Sequence, residues 1–199
     1  MNTKLVNAIC MESRPLVKQK RDMALQSLTS AVNQKNLDET MVEVMNCAQW
    51  IRVDLELLLR AAFWLTLPED KLRARIVLDQ RDLMQQFKNR LKLSDSEIEN
   101  LLKRADDLLK ELALPNKNKR VENNAGILAH DIWHKDKLAK LYGHFYKLLS
   151  KLAHPDPFFL FFPQILSDQI PEFLLPDFLL CANELDNEWR ELEKATKGV

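Results

Sequence analysis

Three polar side chains that could take part in proton transfer follow one another at intervals of four residues. Tyr146, Ser150 and His154 lie in a stretch that predicts a helix ending before Pro155, because proline lacks an amide hydrogen and disfavours helix in the residue before it. The spacing places the three side chains on one helix face. His154 is the natural acid or base among them, since its ordinary pKa of about 6.5 lets it exchange protons at neutral pH.

A second pair of functional side chains lies much earlier in the chain. Arg52 and Glu56 are four residues apart on a long predicted helix, among apolar neighbours. If the fold brings this pair to Tyr146, Ser150 and His154, two interpretations are open. In the first, His154 acts as a general acid or base and Arg52 holds an anion such as phosphate. In the second, which is the commoner case in proteins, the same groups form a structural network. We expect Arg52 and Glu56 to be mostly buried, and one of them to hydrogen-bond the helix that carries Tyr146, Ser150 and His154.

One histidine pair has a spacing that metal sites use. His130 and His134 are four apart and could bind zinc from one helix face. The metalloprotease pattern requires Glu at the second position, where this chain has Asp131, and no third ligand is evident nearby. We therefore expect no bound metal, and no other cofactor either.

The composition is that of a helical protein of balanced charge. The chain has 199 residues with 29 basic and 29 acidic side chains, so net charge makes no case for nucleic-acid or membrane binding. Its charge is unevenly placed: residues 135–151 carry five lysines against one aspartate, and residues 156–199 are acidic. Only three glycines and three widely spaced cysteines are present, which favours helices and a reducing compartment. We expect a cytoplasmic protein without a signal peptide or membrane span.

Every element that carries one of the candidate site residues is predicted to be a helix. A capping-box pattern at Asn36 and Glu39 opens the longest helix, which we expect to be central and to end near Thr66. Residues 115–123 predict a loop, and the aromatic residues at 158–162 predict either a core segment or a partner-binding patch. The sequence predicts one all-α domain over residues 1–199, a bundle of six or seven helices. The helices are expected at about 3–33, 36–66, 68–91, 94–114, 124–134, 137–153 and 172–195.

For the first and the last of these helices, the sequence predicts which apolar residues are buried. The first should turn five apolar residues inward: Leu16, Met23, Leu28, Ala31 and Val32. The last should bury seven: Phe173, Leu174, Phe178, Leu179, Ala182, Leu185 and Trp189.

The pattern R-x3-E, followed later by Y-x3-S-x3-H-P, resembles a family of bacterial helical proteins known only as a domain of unknown function. The resemblance spans roughly residues 45–157 and implies an all-α fold with a site at Arg52, Glu56, Tyr146, Ser150 and His154. The chain is also distantly similar to HEPN-type proteins, several of which are metal-independent ribonucleases or defence components that dimerise. Those enzymes have an Arg four to six residues before the His; this chain has no Arg there, and Lys147 lies seven residues before His154.

Two classes of function follow. The first is a helical interaction or structural protein that binds a protein partner or itself, and the resemblance implies a bacterial defence or toxin–antitoxin setting. The second is a HEPN-like ribonuclease or nucleotide-acting protein that uses His154 and Arg52, which makes nucleic acid a possible partner.

Overall fold

The computed structural model describes Val6 and residues 10–91, 96–111, 142–153 and 170–197. Within these ranges the chain is helical apart from short turns and contains no strand, which confirms the predicted all-α bundle. The six α-helices of the described ranges are α1 (Glu12–Asn33), α2 (Leu37–Thr66), α3 (Glu69–Leu91), α4 (Ser96–Glu111), α5 (Lys147–Ala153) and α6 (Leu175–Lys197). Five-residue π-helical turns, Tyr142–Tyr146 and Ile170–Leu174, lead into α5 and α6.

A three-residue turn joins α1 to α2 and is held by backbone hydrogen bonds. The amides of Lys35 and Asn36 donate to the carbonyls of Val32 and Ala31, which is the Schellman pattern for ending a helix. That pattern places Lys35 in the left-handed region, with φ of 55°, where glycine is the usual residue. The Asn36 side chain then accepts a hydrogen bond from the amide of Glu39, so the predicted cap of α2 is confirmed.

Helix α2 is the centre of the bundle, as predicted. Helices α1, α5 and α6 all pack on it. Most of its apolar side chains are buried, and Met45 is half-buried. Because α2 has partners on several sides, its buried positions cover more than one stripe: Met41, Val44, Cys47, Ala48, Ile51, Leu55, Leu58, Leu59, Ala61, Ala62 and Trp64.

Helices α3 and α4 pack against each other. Leu72, near the start of α3, belongs to the main core, and the hairpin buries Ala74, Leu78, Leu102 and Ala105 along its length. Two ion pairs also link the helices: Arg81 binds Asp106, and Lys88 binds Glu99.

The predicted inner faces of the first and last helices are partly wrong. Leu16 and Met23 are more than half exposed, and Phe173 and Leu179 are exposed as well. The face of α1 that turns inward instead carries Arg21, Ala24, Leu25, Leu28 and Ala31. Because an arginine occupies a core position of α1, the buried face differs from the face that the apolar residues alone predict.

Several predicted features lie outside the described residues: the loop at 115–123, the helix at 124–134 with His130 and His134, the aromatic segment 158–162, and His154. Among the residues that are described, no helix combines the length and hydropathy needed to cross a bilayer.

Candidate functional site

The structure brings three of the five predicted site residues together where α5 and its leading turn pack on α2. The Nε of Arg52 donates to Oε1 of Glu56 at 2.8 Å, and the Tyr146 hydroxyl donates to the same oxygen at 3.1 Å. The Arg52 guanidinium also lies over the Tyr146 ring, 5.5 Å from its centroid. The ring face attracts the cation, so the three groups form a closed triangle of charge, hydrogen bond and cation–π contact.

The triangle lies at the surface of the bundle and not inside it. The side chains of Arg52 and Glu56 are 25% and 36% exposed, so most of each side chain is buried, as expected, but neither is enclosed in the core. Partial burial works against the charged guanidinium, but hydrogen bonding and attraction from Glu56 outweigh it and the pKa of Arg52 is raised. The cation is therefore well stabilised by groups of the chain itself.

Of the remaining two predicted residues, one lies in α5. Ser150 lies one turn after Tyr146 and is half-buried. His154 lies outside the described residues, so its distance to Arg52 stays untested.

A second cluster of charged residues, not foreseen from the sequence, is buried between α1, α2 and α6. The Arg21 side chain is 1% exposed and Asp54 is 0% exposed. The Nη1 of Arg21 donates to Oδ2 of Asp54 at 2.6 Å, and the indole nitrogen of Trp189 donates to Oδ1 of Asp54 at 2.8 Å. Both oxygens of the buried carboxylate therefore accept hydrogen bonds, which is what a buried charge requires.

An outer layer of charges surrounds this buried pair. The Nη2 of Arg21 donates to both carboxylate oxygens of Asp186 at 3.0 Å. Asp186 also binds Lys18 at 2.8 Å and Arg14 at 3.2 Å, and the Arg14 guanidinium lies 5.3 Å from the centroid of the Trp189 ring. Since Arg14, Lys18 and Arg21 come from α1 and Asp186 from α6, the layer fastens α6 to α1.

The pKa values of the two aspartates, Asp54 and Asp186, are shifted in opposite directions. Burial raises the pKa of Asp54, and attraction by Arg21 only partly offsets it. Burial also opposes the charged form of Asp186, but the hydrogen bonds from Lys18 and Arg21 outweigh it and lower the pKa of Asp186. Asp186 is the more exposed of the two, so its desolvation is the smaller effect.

A signal for this cluster was present in the sequence. Asp54 lies three residues after Ile51 and four before Leu58, on the apolar stripe of α2. A charge at a core position needs a buried partner of opposite sign. The sequence therefore predicts a buried basic partner for Asp54, without saying which basic residue it is.

The three cysteines offer no nucleophile. All three thiols are buried. Burial raises the pKa of Cys10 to about 11 and those of Cys47 and Cys181 to about 12, so the thiols stay protonated at neutral pH. In the described part of the chain, no three side chains of His, Cys, Asp or Glu come together in a way that could hold a metal ion.

Comparison of the chain with protein families, with curated proteins and with solved structures gives no match in any of the three. The resemblance drawn from the R-x3-E and Y-x3-S-x3-H-P patterns therefore stays a prediction.

Proposed function

We propose that this protein is a helical interaction protein of the cytoplasm, which works by binding another protein chain through its α3–α4 hairpin. A bacterial defence or toxin–antitoxin setting, as the family resemblance implies, would supply such a partner.

The observation that carries this proposal is an exposed apolar edge on α4. Leu101 and Leu108 are each 46% exposed and lie two helical turns apart on one side of the helix. We call this pair the leucine edge. The apolar positions of α4 form an arc wider than the surface that α3 covers, and Leu102 and Ala105 fill the covered part. An apolar arc left partly open is typical of a helix that packs on a further helix.

The geometry of the Arg52 triangle supports the same conclusion. Arg52 hydrogen-bonds within α2 and stacks on Tyr146, and Tyr146 hydrogen-bonds back to Glu56. These contacts join the turn before α5 to the central helix, which is a structural task. A clamp for a substrate anion needs its guanidinium directed at the ligand, and here the guanidinium is directed at groups of its own chain.

An affinity-capture experiment tests the proposed function. Tagged wild-type protein, the edge variant Leu101→Glu/Leu108→Glu and the control variant Leu16→Glu/Met23→Glu are compared in lysate of the source cell. The control pair on α1 is also exposed and also seven residues apart. We expect a protein that wild type and control retain and that the edge variant loses, and that then binds purified wild-type protein directly. An edge variant that retains every partner of the wild type contradicts the proposal.

A ribonuclease or nucleotide-acting protein is the second candidate, favoured by the meeting of Arg52, Glu56 and Tyr146 on facing elements. In that case Arg52 stabilises negative charge on phosphate, and His154 exchanges the proton of the RNA 2′-hydroxyl. The test is incubation of the wild-type protein with RNA in the presence of chelator. Cleavage that both Arg52→Ala and His154→Ala abolish would replace the interaction proposal, and uncut RNA at high protein concentration removes the ribonuclease.

A further inference from the structure

We infer that the first part of α6, with the turn that leads into it, is a docking surface for a basic amphipathic helix of another protein. Exposed apolar side chains and unpaired carboxylates lie side by side there. The surface is on a different helix from the leucine edge of α4, so the inference goes beyond the proposed function.

The apolar component of this surface is a cluster of large side chains in contact with water. Phe173 is 63% exposed, and Leu179 and Leu180 are 44% and 51% exposed. Pro176, which is also exposed, lies three residues before Leu179 and four before Leu180, so it is next to both on the helix surface. Phe173 comes three residues before Pro176 and continues the cluster. We call these four residues the α6 patch.

Two carboxylates flank the α6 patch. Asp177 lies three residues before Leu180 and Glu184 lies four residues after it, so both are neighbours of that leucine on the helix surface. Among the described residues, no basic side chain forms an ion pair with either carboxylate. The patch therefore carries negative charge that the described part of the chain does not neutralise.

The opposite side of the same helix shows the contrasting case. Asp186 and Glu193 each lie nine residues, or about two and a half turns, after Asp177 and Glu184, so they project from the other side of α6. Both have partners on α1: Asp186 binds Lys18 and Arg21, and Glu193 binds Arg14. The cations of α1 therefore neutralise the inner side of α6 and leave the outer side acidic.

These two components define the chemistry of the partner. An apolar stripe on the partner covers the α6 patch, and lysine or arginine side chains beside that stripe bind Asp177 and Glu184. The same carboxylates repel a nucleic-acid backbone or an anionic lipid surface. A helix that has apolar residues at helical spacing and basic residues beside them meets both requirements.

A groove beside the α6 patch offers space for an anchoring side chain of the partner. It has a volume of about 780 Å³ and lies between the α1–α2 turn and the turn that leads into α6. Val32, Leu37 and Pro171 supply apolar walls, and Lys35 and Glu172 supply charged ones. Since Pro171 and Glu172 come directly before the first residue of the patch, the groove adjoins it. A large side chain seated in such a recess contributes much of the binding energy in many interfaces.

An exposed apolar pair on α1 provides a matched control. Leu16 and Met23 are 59% and 51% exposed and seven residues apart, as are Phe173 and Leu180. Lys20, which is exposed, lies four residues after Leu16 and three before Met23, so it is a neighbour of both. A basic partner is repelled there, and loss of the α1 pair should not affect its binding.

Calorimetric titration of the full chain with two model peptides tests the inference. One is a helical peptide of leucine and lysine with the leucines at helical spacing, and in the other every lysine is replaced by glutamate. We expect the wild type to bind the lysine peptide and not the glutamate peptide. The affinity should fall about tenfold from low to high salt, because the ion pairs at the surface are screened.

Variants show whether the α6 patch is the binding surface. We expect Phe173→Ser/Leu180→Ser to weaken binding of the lysine peptide about tenfold or more, and Leu16→Ser/Met23→Ser to leave it unchanged. Asp177→Lys/Glu184→Lys should reverse the preference, so that the glutamate peptide binds. Glu12→Lys/Asp70→Lys changes the net charge equally at exposed positions elsewhere, and it should keep the preference of the wild type. Thermal unfolding of each variant should match that of the wild type, since these side chains lie at the surface.

Four results overturn the inference: a wild type that binds neither peptide, one that binds both equally, binding that Phe173→Ser/Leu180→Ser retains, or a reversed preference that Glu12→Lys/Asp70→Lys shares. Loss of the lysine peptide in Leu101→Glu/Leu108→Glu alone would place its binding on the leucine edge, so this inference would fail and the proposed function would stand.

Discussion

Two ion pairs of the same chemical type, in two regions of the molecule, have very different surroundings. Arg21 and Asp54 join α1 to α2 and are 1% and 0% exposed, whereas Arg81 and Asp106 join α3 to α4 and are 23% and 45% exposed. Both pairs form direct contacts, so geometry alone does not separate them. Burial does, because an isolated buried charge loses its hydration and an exposed one keeps it.

The difference extends to the apolar residues of each region. On the α1–α2–α6 side, Trp189 and Leu185 are fully buried and the charges fasten the helices to each other. On the hairpin, the two ion pairs that link α3 to α4 stay near solvent, and the leucine edge is exposed. The first region therefore buries its interhelical charges, and the second leaves both interhelical charges and apolar side chains in contact with water. The following changes test that contrast, from the largest expected effect to the smallest.

Removal of the buried carboxylate should have the largest effect. Asp54→Ala leaves the Arg21 cation buried and the Trp189 indole without its acceptor, and we expect a loss of about 3–5 kcal/mol in the free energy of unfolding. Urea unfolding measures it, with Asp106→Ala as the matched control. For the control we expect a loss below about 1 kcal/mol. Equal losses from the two variants would remove the contrast between the regions.

Acid should weaken the α1–α6 contact through Asp186. The pKa of Asp186 is lowered in the folded protein, so its contribution is present above the pKa of an unfolded aspartate, about 3.9, and is lost as the pH falls through the lower folded value. Urea unfolding between pH 5 and pH 3 should therefore show a steeper loss of stability for wild type than for Asp186→Asn. Asp54 is present in both proteins. Parallel pH profiles would show that Asp186 adds no such stability.

The Arg52 triangle should resemble the exposed ion pair in energy more than the buried one. Its carboxylate, Glu56, accepts two hydrogen bonds but is 36% exposed. We expect Glu56→Ala to lower the free energy of unfolding by about 1 kcal/mol or less, since the Arg52 cation left behind reaches water. Tyr146→Phe, which removes only the hydroxyl, is the control and should have a smaller effect. A loss as large as that of Asp54→Ala would place the triangle with the buried cluster.

The smallest effect should come from the turn between α1 and α2. Lys35 has a φ of 55°, which is unfavourable for a side chain with a Cβ, so Lys35→Gly should raise the free energy of unfolding by up to about 1 kcal/mol. The same gain should appear in the Asp54→Ala and Asp106→Ala backgrounds, because distant sites contribute independently. A gain in only one background would mean that the turn is coupled to that region.

Sequence patterns predicted much of this fold for identifiable reasons. The α2 boundaries were predicted because Asn36 and Glu39 form a local cap and the apolar residues of a central helix recur on several faces. A hydrogen bond between the Arg52–Glu56 pair and the helix of Tyr146 was predicted because that pair lies among apolar residues on a long central helix. The extent of burial was harder to predict. Arg52 and Glu56 keep 25% and 36% of their side chains exposed although α5 packs on α2, because what a neighbour covers depends on how the helices pack.

The buried cluster escaped prediction for a related reason. Arg21 occupies a core position on α1 where helical periodicity predicts an apolar residue. The apolar pattern therefore predicted that Leu16 and Met23 face inward, and both are exposed. Its partners Asp54 and Asp186 are 33 and 165 residues away along the chain. Pairing over such separations is decided by tertiary contacts, which one sequence does not reveal.

The central claim is the proposal that another protein chain covers the exposed apolar surface of α4. Hydrogen–deuterium exchange of the protein alone and in complex with the captured protein tests it most directly, because each peptide reports on its own helix. We predict that exchange in the 101–108 segment slows in the complex, while exchange in α1, which carries Leu16 and Met23, does not change. Exchange of the 101–108 segment that is the same in both samples, or protection that appears in α1 instead, would contradict the account.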